Sequence, residues 1–180
     1  MTLGFPSWWK GFRWDVERLF WDLFLHPENT AAQGITGLRV EPFTPTTPER
    51  EEWIKAGNGF LFVHRRGGSL DKSTAPICDR SITELAALTK SRDLSNELIA
   101  YVADILSTGY GEDGGTVRRS MPHRSGLLTT FMKVPGEVVG PQLIPELIRD
   151  ERYVSTTWNI HADLPHSLPD TREVLGLDDE

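Results

Sequence analysis

The stretch that most limits how this chain can fold is the apolar run NGFLFVHRRGG at residues 58–68. It is rich in aromatic and β-branched residues, and glycines border it on both sides, which is typical of a β-strand. Successive side chains of a strand point to opposite faces, and here both faces are apolar: Phe60 and Phe62 on one, Leu61 and Val63 on the other. Such a strand is buried on both sides, as central strands are. We expect Gly67 and Gly68 to form the turn that ends it.

The stretch CDRSITELAALTKSRDLSNELIAYVADIL, at residues 78–106, fits two different structures. Ser81 and Glu84 have the spacing of a capping box, and the Leu- and Ala-rich sequence after them favours one long helix. That helix would be unusually long for a domain of this size, and the strand at 58–68 needs a neighbouring strand. A break near Lys90 would provide that neighbour, followed by a helix. The residues alone leave both interpretations open.

The other segments add a helix and several strands. DVERLFWDLFL, which stops before Pro27, has apolar residues at helical spacing and predicts an amphipathic helix near the N-terminus. Strands are predicted at LRVEPF, which stops at Pro42, and at TVRRS, LLTTFMKVPGEVV and ERYVSTTWNIHAD. TPTTPEREEW predicts a proline-broken surface loop with a short helical turn at its acidic end. GPQLIPELIRD predicts an irregular crossing segment.

Composition excludes several classes of protein. A net charge of -7 argues against a nucleic-acid binder, which needs a basic surface to displace counterions. No apolar run approaches the roughly 18 to 20 residues that cross a bilayer, and the N-terminus lacks the features of a signal peptide. The single cysteine, Cys78, excludes an internal disulfide framework and a Cys-rich zinc site, and we expect it to be buried. We therefore expect a soluble protein that is assembled in the cytoplasm.

No motif predicts catalysis or metal binding. SLDK, which begins at Ser69, matches the S-x-x-K of acylating enzymes, but the S-D-N and K-T-G motifs that accompany it are missing. Among the histidines, only His161 has a possible ligand partner, Asp163, at metal-ligand spacing. GYGEDGGTV lacks the lysine of a nucleotide-binding loop and contains two acids. We predict that the protein is not an enzyme and has no cofactor and no metal site.

Aromatic and basic residues instead favour association with other chains. Trp8, Trp9 and Trp14 lie close together near the N-terminus, and we predict that they contact another subunit or another protein. The basic pairs Arg65–Arg66 and Arg118–Arg119 are expected at strand ends, where they are available for ion pairs between subunits.

Five short motifs follow one another along the chain: RRGG (Arg65 to Gly68), DRSI (Asp79 to Ile82), SRD (Ser91 to Asp93), GPQLIPE (Gly140 to Glu146) and RYVSTTWNIHAD (Arg152 to Asp163). Each is weak alone. Their order and spacing, after an N-terminal helix, resemble the tail terminator proteins of long-tailed, siphovirus-type bacteriophages, particularly those that infect actinobacteria. The resemblance covers about residues 14–163.

The resemblance implies an α/β (α+β) fold, with a mixed, mostly antiparallel β-sheet packed against an N-terminal and a central helix. It also favours a strand to about Thr89, a break at Lys90 and Ser91, and a helix to about Ser107. We expect one domain at residues 14–163, between an aromatic N-terminal arm at 1–13 and an acidic C-terminal arm at 164–180, both extended.

The resemblance further implies a structural virion protein at the top of the tail, in the neck region. Six copies would form a ring that caps the tail tube, ends the polymerisation of the major tail tube protein and docks the head-to-tail stopper or connector. DNA would pass through the lumen without specific binding, and no membrane would be involved. The candidate interface residues are Trp8, Trp9, Trp14, Arg65, Arg66, Arg118, Arg119 and Pro141.

Three alternatives stay open. A head-to-tail stopper or adaptor of the same virion is the first, because these are also small ring-forming proteins. A small hydrolase or nuclease is the second, although the sequence lacks the clustered acids and lysine that such enzymes need. A monomeric α+β interaction module is the third.

Overall fold

The computed structural model describes residues 16–74, 76–120, 127–142 and 152–164. Its helices and strands are α1 (Val16–Leu25), β1 (Leu38–Glu41), α2 (Thr47–Lys55), β2 (Gly59–Asp71), β3 (Cys78–Leu88), α3 (Arg92–Asp104), β4 (Gly115–Ser120), β5 (Leu127–Gln142) and β6 (Val154–Asp163). The strands form one sheet in the order β1-β2-β3-β6-β5-β4. β1 runs parallel to β2, and every other neighbouring pair is antiparallel. The predicted mixed, mostly antiparallel sheet is confirmed.

Residues 78–107 form a strand, a break and a helix. β3 pairs with β2 from Cys78 to Leu88 and with β6 on its other side. The chain then turns at Ser91, whose hydroxyl accepts a hydrogen bond from the N–H of Leu94 at 3.3 Å and so caps α3. A π-helical turn at Ile105–Gly109 follows α3. The interpretation as one long helix is therefore excluded.

The doubly apolar strand is covered on both faces, as predicted. Leu61 and Val63 pack into the main core, which α1 and α3 complete on one face of the sheet. Phe60 and Phe62 pack on the opposite face against Ile54 of α2, with their rings stacked at 5.5 Å between centroids. The apolar stripe of α1 is buried as its spacing predicts, and Cys78 is also buried. Burial raises the pKa of the Cys78 thiol.

Two predicted boundaries are wrong. Gly67 and Gly68 do not form a turn, because β2 continues to Asp71 through a β-bulge between Arg65 and Gly67. A bulge inserts an extra residue while the strand goes on, so glycines in a strand need not end it. The acidic end of TPTTPEREEW is not a single turn but the nine-residue helix α2. Its proline lies in the first turn, where the missing N–H costs no helical hydrogen bond.

The edges of the sheet are short or irregular. β1 has four residues and β4 has six, so each covers only part of its neighbour. β5 continues past β4 to Gln142, with three register shifts against β6 and with prolines at 135 and 141. It extends beyond the end predicted at Val139, and the remainder of the predicted crossing segment lies outside the described residues.

The predicted arms lie outside the described residues, apart from Leu164, whose N–H donates to the carbonyl of Ile77 at 2.8 Å. The contacts predicted for Trp8, Trp9 and Trp14 lie outside them as well. No helix in the described segments is long and apolar enough to cross a membrane.

Candidate interaction surface

Three of the five sequence motifs meet in the middle of the sheet. RRGG lies in β2 and faces DRSI in β3, with Gly67 opposite Ile82 and Gly68 opposite Ser81. β6, which carries the third motif, pairs with the other side of β3, so that His161 lies opposite Arg80. Motifs that are up to about a hundred residues apart in sequence therefore form one patch of three strands, which we call the motif patch.

Gly68 is required by the close approach of β2 and β3. Its φ of 122° lies in a region that side chains disfavour. A Cβ at this position would lie 2.0 Å from the carbonyl oxygen of Arg80 and 2.6 Å from the Cα of Ser81. Both atoms belong to the backbone, so neither can move aside without disturbing the strand pair.

Arg65 pairs with Asp79 across the strands. Its two terminal nitrogens donate to the two carboxylate oxygens at 2.7 Å each, which is the bidentate geometry of a strong pair. Asp79 is only 4% exposed, and its hydrogen bond with Arg65 raises the pKa of the guanidinium. The pair joins the RRGG motif to the DRSI motif.

Arg66, the next residue along β2, binds a different carboxylate, that of Glu84. Its Nε donates to Glu84 at 2.6 Å, and the Nδ1 of His64 lies 3.7 Å from the same carboxylate. The neighbouring His64 and then Arg66 lower the pKa of Glu84. Burial, followed by the charge of Glu84, raises the pKa of Tyr153 to about 12. Both arginines thus bind carboxylates of their own subunit, and their role between subunits stays a prediction.

The other predicted interface residues lie in β4 and β5, towards the edge of the sheet opposite to β1. Arg118 in β4 is held by Asn29, which accepts from the backbone N–H of Arg118 and donates to its carbonyl, at 2.8 Å each. The Arg118 side chain is half exposed and lies 3.7 Å from Glu28. The backbone of Arg119 is in the same strand, and its side chain lies outside the described residues. Pro141 is exposed near the end of β5.

The sheet does not bring the two basic pairs together. β2 and β4 are four strand positions apart, which corresponds to about 19 Å at the usual spacing between strands. Arg65 and Arg66 therefore lie in one half of the sheet, and the β4 pair lies at the opposite edge.

Among the described residues, one face of the sheet is only partly covered. α2 covers its Phe60 end, whereas Ile82 and Phe131 farther along the same face are about 40% exposed. Polar residues surround them, among them His161, whose pKa is lowered by burial and by the nearby charges of Arg80 and Lys133. Exposed apolar side chains within a polar surround are typical of protein contact surfaces.

A groove opens beside the start of β1, between α3, the loop that precedes β1 and the loop that follows α2. Its volume is about 500 Å³. Five apolar or aromatic side chains line it: Ile35, Leu38, Leu94, Leu98 and Tyr101. We call it the Leu98 groove. Neither it nor the ion pairs of the motif patch could be found from the sequence pattern, because both join segments that are distant in the chain.

The described residues thus form a partly exposed apolar face, the Leu98 groove and charged side chains that are paired within the subunit. In the described segments, no three His, Cys, Asp or Glu side chains are grouped as they would be to hold a metal ion. His161 and Asp163, the candidate metal pair of the sequence, lie two residues apart in β6, and burial raises the pKa of Asp163.

Comparison with known proteins supports the resemblance. No curated protein matches the chain. A family model described as phage tail termination protein matches residues 12–169 of the 180. This range contains all five motifs and every strand and helix from α1 to β6. The chain therefore belongs to the phage tail termination proteins, a family of structural proteins of the bacteriophage tail.

Proposed function

We propose that six copies of this chain form a ring that caps the finished tail tube, stops its polymerisation and docks the head-to-tail stopper or connector. The observation that carries the proposal is the family match over residues 12–169. Tail termination implies association with other tail proteins in the virion, and a ring on the last layer of tube subunits would block further addition sterically. The proposed mechanism involves interfaces and no chemical step.

The positions of the basic pairs support a ring. A closed ring needs two different surfaces on each subunit, one for each neighbour. Arg65 and Arg66 lie in the β2 half of the sheet, and Arg118 lies about 19 Å away at the β4 edge. Each subunit would use the β2 half towards one neighbour and the β4 edge towards the other.

The charge of the chain supports a lumen through which DNA slides. The subunit has a net charge of -7, so a ring of six is strongly acidic. DNA phosphates bind to clustered Lys and Arg with release of counterions, and an acidic wall gives no such gain. DNA would therefore pass without being held.

The test is to add the purified protein to tube subunits during polymerisation. We expect growth to stop, tubes to carry a cap at one end under the electron microscope, and native mass spectrometry of the capped ends to give six copies. Arg118→Glu should weaken both ring formation and capping. The matched control Lys90→Glu changes an exposed charge between β3 and α3 and should leave both intact.

Two results would contradict the proposal. Tube growth that continues at saturating protein would exclude termination. Uncapped tubes, combined with tight binding of the protein to a portal or adaptor ring, would instead identify a stopper or adaptor of the neck.

A further inference from the structure

We infer that the Leu98 groove receives the tryptophan-rich residues 1–15 of a neighbouring subunit. This contact rests on the proposed function, because it would link consecutive subunits of the ring. The inference combines the shape of the groove, the composition of the N-terminal residues and the place where they join α1.

The groove is suited to bulky aromatic groups. Leu94, Leu98 and Tyr101 lie at helical spacing along one face of α3 and form one wall. A volume of about 500 Å³ is within the usual range of sites that bury a mostly apolar ligand. Its rim is open at Gly34 and Gly57, where an added Cβ would meet nothing within 4 Å.

Residues 1–15 fit this groove in chemistry. They contain five aromatic residues: Phe5, Trp8, Trp9, Phe12 and Trp14. Their charged side chains are Lys10, Arg13 and Asp15, an excess of one positive charge in a chain of net charge -7. Glu97 is the one charged side chain among the described residues that line the groove. Apolar anchors would therefore enter the groove while a basic residue meets Glu97 at its rim.

The C-terminal residues are a poorer occupant. Residues 165–180, PHSLPDTREVLGLDDE, contain no aromatic side chain. They carry five acids and one arginine, and Glu97 would repel them. The choice between the two ends of the chain therefore favours the N-terminal residues.

The N-terminal residues join α1 at the end away from the groove of their own subunit. Glu17, in the first turn of α1, borders a hollow with Pro42 and Phe43, just after β1 ends. The Leu98 groove lies where β1 begins. α1 is ten residues long and spans about 15 Å, so docking within one subunit would require the N-terminal residues to fold back along it. Fifteen extended residues reach up to about 50 Å, which is enough to reach a neighbour.

A contact of this kind is directional. The N-terminal residues are one surface and the groove is another, so each subunit can donate to one neighbour and accept from the other. Head-to-tail contacts of this type close into rings when the rotation allows it.

Two full-length variants separate the two halves of the contact. The arm variant combines Trp8→Ser, Trp9→Ser and Trp14→Ser and keeps the groove intact. The groove variant Leu98→Lys keeps the N-terminal residues. A fluorescent peptide of residues 1–15 should bind the arm variant saturably, and Leu98→Lys introduced into the same protein should weaken that binding about tenfold or more.

Mixing the two variants tests whether the contact joins different subunits. In sedimentation experiments the mixture should form heterodimers at least about tenfold more readily than either variant associates alone, because one intact groove meets one intact arm. A mixture that associates no better than its components would overturn the inference, as would a peptide that binds both proteins equally.

Charge reversal provides a second route if Leu98→Lys does not fold. Glu97 is exposed, so Glu97→Lys should keep the fold and weaken peptide binding a few-fold. A peptide with Lys10→Glu and Arg13→Glu should recover the loss. The matched control is Asp104→Lys, an exposed acid on the same helix outside the groove, which should change nothing. Equal effects of Glu97→Lys and Asp104→Lys on peptide binding would contradict the inference.

The two proposals can fail separately. A protein that caps tubes normally when it carries the three Trp→Ser changes would overturn the groove contact and leave termination intact. A wild-type protein whose N-terminal peptide binds the groove but which does not cap tubes would overturn the proposed function alone.

Discussion

Gly68 allows β2 and β3 to pair because it has no side chain. The carbonyl of Arg80 lies where a Cβ would be, and the backbone φ of 122° is strained for other residues. The neighbouring Gly67 has no such restriction, because a Cβ there would meet nothing within 4 Å. Two adjacent glycines of one motif therefore have different structural importance.

Gly68→Ala should destabilise the protein by about 2 to 4 kcal/mol, since the added methyl group forces β2 and β3 apart and strains the backbone. Gly67→Ala is the matched control and should change the free energy of unfolding by less than about 1 kcal/mol. Urea unfolding measures both, with the midpoint compared at constant slope. Equal losses in the two variants would show that the close approach at Gly68 does not matter.

The partners of Arg65 and Arg66 show what residue patterns cannot predict. Both arginines were expected at a strand end. The alternation of side chains along β2 does not indicate that Asp79 and Glu84 of another strand are their partners. Arg65 binds Asp79 and Arg66 binds Glu84, while a bulge shifts the register of the strand pair between Arg65 and Gly67. A bulge depends on the pairing of two strands, so it has no signature in one of them alone.

Between β2 and β3, Glu84 forms an ionic link that depends on pH. His64 lies 3.7 Å from its carboxylate and Arg66 donates to it, and these two neighbours hold its pKa below the ordinary value of 4.5. A carboxylate with a lowered pKa in the folded state stabilises the protein above its unfolded pKa. That contribution is lost as the pH falls from about 4.5 through the lower, folded-state pKa.

Glu84→Gln should therefore lower the free energy of unfolding by about 1 to 2 kcal/mol at pH 7 and by less at acid pH. Unfolding curves of both proteins between pH 7 and pH 3 should converge as the wild type loses its ionic link. Glu52→Gln, at an exposed position of α2, is the control and should run parallel to the wild type. If the free energies of unfolding of the wild type and Glu84→Gln stay equally far apart from pH 7 to pH 3, the pH-dependent ionic link is refuted.

The strand β3 shows how pairing overrides local propensity. ELAAL is a good helix-forming sequence, yet Leu85, Ala86 and Ala87 are all buried between layers on both faces of the sheet. α3 packs against β3 on one face, and on the other Ala86 belongs to the cluster that includes Ile54 of α2. The break at Lys90 and Ser91 was predicted from the family resemblance, and Ser91 caps the helix that follows it.

At the scale of the whole molecule, charge governs the relation to DNA. The net charge of -7 should prevent binding to duplex DNA at about 0.15 M salt. Fluorescence anisotropy of labelled DNA should stay flat up to high protein concentration. Saturable binding that weakens steeply with added salt would show a basic surface and contradict a lumen through which DNA slides.

The layered fold could be predicted because its signals are local. Helical spacing gave α1, and the two apolar faces of β2 gave a sheet covered on both sides. The order of the strands, the motif patch and the Leu98 groove all depend on which distant segments meet. No pattern within one segment contains that information, and only the resemblance to a family pointed towards it. The contacts of the tryptophans stay a prediction.

The short and proline-interrupted edges of the sheet have a consequence for the free protein. A strand with a long, regular edge recruits further strands and seeds fibrils, whereas β1, β4 and the bulged end of β5 offer little to extend. Copies can then accumulate while tails are still growing without being lost to amyloid-like aggregates. A protein that ends the growth of another polymer is in this way prevented from starting one of its own.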